Sequence, residues 1–119
     1  MAAASRIYFD QFAHLRKRQN ELASKNLTAI RSAGGSSDRT LMTKLVTERA
    51  KIRKNDAEIR KAELAFLNST AGQSDAERKL IKHASEANKM VGRINNITAL
   101  LKSAGKMADI LTRLIAALT

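Results

Sequence analysis

Apolar residues recur along most of this chain at alternating steps of three and four, the spacing that gathers them on one face of a helix. The pattern is clearest in the second quarter. There Leu45, Ile52, Ile59 and Phe66 repeat every seven residues, with Ala50, Ala57 and Leu64 on a neighbouring track. It predicts a helix over about 38–69, capped by Ser37 or Asp38. An earlier helix over about 5–33 is predicted from Ile7, Tyr8, Phe9, Phe12, Leu15, Leu22, Leu27, Ala29 and Ile30, with Ser5 as its N-cap. Its stripe thins in the middle, where Gln19 and Asn26 stand at core-like positions. Gly34-Gly35-Ser36-Ser37 reads as the turn between the two helices, glycine tolerating a left-handed closing residue.

A third helix is predicted over about 75–119, because Leu80, Ala84, Ala87, Val91, Ile94, Ile97 and Leu101 continue one stripe into the most apolar part of the chain. Its start carries the pattern of a capping box, Ser74-Asp75-Ala76-Glu77, in which serine and glutamate would satisfy each other's backbone amides. Its end, Ile97 to Thr119, is amphipathic: Lys102, Lys106, Asp109 and Arg113 fall opposite the apolar face. A break at Gly105, folding the end back as a fourth helix, is the alternative to an unbroken rod. The chain contains no proline and few aromatic residues. The fold class is therefore all-α: a single domain over 1–119, forming an elongated antiparallel three-helix bundle, or coiled-coil hairpin, with a long C-terminal helix.

Composition then narrows the partners. The formal charge of +11 favours an acidic protein surface, nucleic acid or anionic lipid. Many acids stand four residues from a base, as in Glu21 with Lys25, Asp56 with Arg60, Asp109 with Arg113, Lys44 with Glu48, Lys54 with Glu58 and Lys82 with Glu86, which suits long solvated helices. The chain has no cysteine, hence no disulfide framework. The stretch MAAASRIYFDQFAHLRKR lacks the basic-then-apolar order of a secretory leader, so the expected location is cytoplasmic. Charges about a turn apart argue against a transmembrane span in the last helix.

Short turns make neighbouring helices antiparallel, so residue levels can be matched across them. Phe66 then stands beside Tyr8 and Phe9, level with Leu80 and Ile81, and nearly all the aromatic residues gather at one end. These read as core rather than as base-stacking groups, since no arginines interleave them. The same matching groups Arg16, Lys17 and Arg18 with Arg49, Lys51, Arg53 and Lys54, and with Lys89 and Arg93, as a basic belt around the middle of the rod. Helices one and two span about 45 Å, whereas an unbroken third would span nearly 70 Å. Residues from Met107 onward would then overhang with an apolar face in water, the mark of a partner surface. Leu100, Leu101, Ala104, Ala108, Leu111, Leu114, Ile115 and Leu118 are the expected interface.

No catalytic, cofactor or metal site is expected. His14 and His83 have no Glu or His at metal-ligand spacing, the Gly-Gly-Ser-Ser turn lacks the Gly-Lys-Ser/Thr of a phosphate loop, and no serine has the setting of a nucleophile elbow. N-x-S/T triplets at Asn26, Asn68 and Asn96 read as chance. The expected function is a non-enzymatic interaction or assembly protein. It would self-associate as a homo-oligomer or dock a partner through the C-terminal helix, with the belt meeting an acidic surface. Nucleic-acid binding through the belt and membrane-surface binding through the C-terminal helix are the alternatives.

Overall fold

The computed structural model describes residues 2–35 and 37–119. Ser36, part of the expected turn, lies outside the described residues. Helix α1 (Arg6–Gly34) and helix α2 (Arg39–Leu67) form the hairpin that the apolar repeat predicts. Ser5 Oγ accepts from the Tyr8 amide at 3.2 Å and Asp38 Oδ1 from the Leu41 amide at 2.9 Å, so both expected caps are in place. The hairpin is antiparallel and its register is polar. Gln19 Nε2 donates to the Ile52 carbonyl and Asn26 Nδ2 to the Leu45 carbonyl, so a climb along α1 is answered by an equal descent along α2. Leu45, Ile52, Ile59 and Phe66 are all buried.

Two local expectations are corrected here. Gly35 closes α1 in a right-handed conformation, φ −85°, not a left-handed one. The Ala50, Ala57 and Leu64 track faces solvent, Leu64 being 53% exposed. The second buried track of α2 is instead Glu48, Asn55 and Ala62, continued past the helix end by Ser69. It exists because α2 packs on two neighbours, and its seam toward the C-terminal helix begins with polar residues.

The larger correction concerns the third helix, which is not continuous over 75–119. Helix α3 (Gln73–Gly92) ends, the single turn α4 (Ile97–Leu100) follows, and α5 (Ser103–Leu118) runs back along the bundle. The break is at Asn96, not at Gly105. Asn96 is fully extended (φ −153°, ψ 169°), and its Oδ1 accepts from the Ala99 amide at 2.8 Å, starting a new helix with a new direction. The capping box does not form either. Gly72 stands at the N-cap of α3 without a side-chain bond, and Glu77 is engaged elsewhere: its carboxylate accepts from Ser5 Oγ at 2.6 Å and from Gln73 Nε2 at 3.2 Å.

Over the described residues the protein is thus an all-α bundle of four long helices, with extents of 54 × 19 × 17 Å. Around the bundle the order is α1, α2, α5, α3, so α2 and α3 face each other diagonally and residues 68–72 cross one end. Helices α1 and α3 run side by side in the same direction, as do α2 and α5. Because α5 lies between α2 and α3, its apolar face is spent inside the chain. Met107, Ile110, Leu111, Leu114 and Leu118 are buried in the main core, together with Ala104. The predicted overhang does not exist. No helix among the described residues is long and apolar enough to cross a membrane.

Candidate anion-binding groove

Helix α5 has no side-chain cap of its own. Its first turn is held from α2 instead. Glu48, 4% exposed, accepts from the Ala104 amide at 2.8 Å, and Asn55 Nδ2 donates to the Ala104 carbonyl at 3.0 Å. A carboxylate at a helix N-terminus meets the positive end of the helix dipole as well as a free amide. Ser103 Oγ adds a 2.6 Å bond to the Leu100 carbonyl, closing the corner between α4 and α5.

Docked this way, α5 presents its polar face toward α3 on one side and toward Lys51 of α2 on the other. Between them runs an open groove of about 810 Å³. Met90, Leu101 and Ile110 supply its apolar surface, and Gly105 lies in it. Five cations line it: Lys51, Lys89, Arg93, Lys102 and Lys106. Among the described residues none of the five has an ion pair or a side-chain hydrogen bond. The sixth lining cation is neutralised. Arg113 donates to Glu86 across the α3–α5 seam at 2.7 Å and to Asp109 along its own helix at 3.0 Å. The hydrogen bond from Arg113 holds the Glu86 carboxyl below its ordinary range against the opposing effect of burial. Glu86 and Asp109 in turn raise the Arg113 guanidinium. The groove therefore has an acidic end, where Glu86 and Asp109 outnumber Arg113, and a positive remainder in which Glu48 is the one carboxylate among five cations.

Of the expected belt, the structure brings Lys51, Lys89 and Arg93 together here. The others lie elsewhere. Arg16 is paired with Glu63, Arg18 with Glu21, and Arg49 donates to the Ala23 carbonyl at 3.4 Å. Lys17, Arg53 and Lys54 are exposed and do not line the groove. Of the i,i+4 pairs expected on the helices, Asp109–Arg113 forms. Glu21, Glu58 and Glu86 choose other bases, and Glu48 is spent on α5. Of the residues expected at an interface, Leu100, Ala104, Leu111, Leu114 and Leu118 are buried within the chain, while Leu101, Ala108 and Ile115 are half-buried.

Sequence reasoning placed Lys102, Lys106, Asp109 and Arg113 on one polar face but missed what faces them. Glu86, Lys89, Met90 and Arg93 share a face of α3 by their three- and four-residue spacing. Once α5 is folded back, antiparallel matching sets that face opposite. The remaining candidate groups are structural. Tyr8, Phe12 and Phe66 are mutually packed, with ring centroids 5.0–6.2 Å apart, and are buried, whereas Phe9 is 62% exposed. His83 is buried and its Nδ1 donates a 2.7 Å hydrogen bond to the Lys79 carbonyl. No protein family, curated protein or solved structure matches the chain.

Proposed function

We propose that the chain is a non-enzymatic interaction module that docks an acidic macromolecular partner, a protein before a nucleic acid, in the α3–α5 groove. One observation carries the reading: five cations that form no ion pair among the described residues surround an apolar surface. Clustered like charge raises the energy of the free protein, and a partner that brings carboxylates relieves it. The expected self-association through the C-terminal face forms no part of the proposal, because that face is buried in the chain's own core. Insertion of the same face into a membrane surface is set aside for the same reason.

Fluorescence anisotropy with labelled poly-glutamate tests the proposal. Binding should weaken with added salt, and replacing Lys89, Arg93, Lys102 and Lys106 together by Gln should reduce affinity about tenfold or more. An unchanged affinity in that variant, with its helical signal intact, would remove the groove as the site.

A second reading has its own support. Lys17, Arg53 and Lys54 are exposed and have no ion pair among the described residues, so they offer phosphate contacts away from the groove. Nucleic-acid binding that survives the four groove substitutions but is lost on replacing these three would favour it.

A further inference from the structure

Gly105 stands in the first turn of α5 without the usual reasons for a glycine. No glycine among the described residues has a positive φ, and the helix does not break there. A Cβ at Gly105 would meet nothing within 4 Å beyond its chain neighbours and its own helix backbone. Alanine would fit and is the better helix former. What the absent side chain leaves open is the groove. Gly105 lines it between Lys102 and Lys106 on its own helix, with Lys89 and Arg93 toward α3 and Lys51 toward α2.

We propose that Gly105 is the crossing point at which an acidic, amphipathic segment of a partner protein passes over α5. The segment approaches the backbone there, sets its carboxylates on the cations at either side, and rests apolar side chains on Met90, Leu101 and Ile110. The inference rests on the groove being the docking site proposed above, and adds the kind of partner and its path. The lining itself favours peptide over phosphodiester. Glu48, Glu86 and Asp109 share the groove with the cations. A uniformly charged phosphate backbone laid along it would run onto these carboxylates, whereas a peptide can place uncharged residues there. The apolar surface likewise offers nothing to phosphate but receives leucine or phenylalanine side chains, as in other helix-in-groove complexes.

The test uses the full chain, the variants Gly105→Ala and Gly105→Leu, and four labelled probes. The first is an acidic peptide of about 16 residues with leucine at every third or fourth position and glutamate elsewhere, a helix-in-groove pattern. The second replaces its leucines by alanine, the third is poly-glutamate of equal length, and the fourth is a single-stranded oligonucleotide of equal charge. The leucine peptide should bind most tightly. Gly105→Leu should weaken it about tenfold or more, with Gly105→Ala between the two, while both variants melt at or above the wild-type temperature. Equal affinity for the leucine and alanine peptides, or unchanged binding in a folded Gly105→Leu, overturns the crossing and leaves the groove reading standing on poly-glutamate. A Gly105→Ala protein melting below wild type would assign the glycine to the fold and also overturn it. Tighter binding of the oligonucleotide than of any peptide overturns the protein partner. Failure of every probe removes the underlying groove reading itself.

Discussion

The two ends of this bundle are built from different materials. One end is apolar and aromatic: Tyr8, Phe12 and Phe66 pack on Leu80, Leu111, Leu114 and Leu118 in one continuous core. Toward the other end the apolar core shrinks to Ala33, Leu45 and Leu100, and the helices are pinned by side-chain amides and a carboxylate bonded to backbone groups. Non-directional burial holds the first end, and directional bonds set the register of the second. The cationic groove lies alongside the α5 first turn, where two of those directional bonds meet at Ala104. Stability and the candidate site are thus supplied from different parts of one rod.

The comparison breaks most visibly if charge is forced into the aromatic end. Leu111→Glu with Ile115→Glu should abolish the cooperative thermal transition, since Leu111 is fully buried and an unpaired carboxylate there costs several kcal/mol. A folded variant that changed only its solution mass by light scattering would instead support an external role for that face. A smaller and more local effect is expected at the polar end. Glu48→Ala leaves the buried Ala104 amide unpaired and should cost about 1–3 kcal/mol in urea denaturation. Faster hydrogen exchange should be confined to the first turn of α5, and Glu48→Gln, which keeps an acceptor, should lose less.

The smallest effect is at the Arg113 bridge. The folded pKa of Glu86 lies below its unfolded value, so its stabilisation is present above the unfolded value and is lost as pH falls through the folded one. Glu86→Gln should therefore melt slightly below wild type at about pH 7, and the difference should shrink as pH falls through the folded pKa of Glu86. The shift should be small because both partners are partly in water.

How far the sequence carried the fold can be read from particular residues. The hairpin was legible because the period of seven through Leu45, Ile52, Ile59 and Phe66 admits one burial pattern, and Gln19 and Asn26 stood visibly within its core track. The second track of α2 was not, because Glu48 and Asn55 look like solvated residues until a helix end is placed against them. The turn at Asn96 was hidden by continuity: Val91, Ile94, Ile97 and Leu101 keep helical spacing straight through it. Gly92 followed by Asn95-Asn96 was the available clue, asparagine being a strong N-cap former. The length mismatch between helices left the most apolar helix without cover, which suits folding back as well as a partner surface. The groove depended on that turn, so neither its α3 wall nor the role of Gly105 could be seen before it.

The clamp on Ala104 has a kinetic consequence. Its two bonds join residues 49 and 56 positions apart, whereas the hairpin bonds from Asn26 and Gln19 join residues only 19 and 33 apart. Closing the larger loops loses more chain entropy and gains nothing until α5 arrives. The hairpin is thus placed to form early, and α5 to dock on it afterwards. The apolar face of α5 is accordingly uncovered until that docking, a hazard for aggregation.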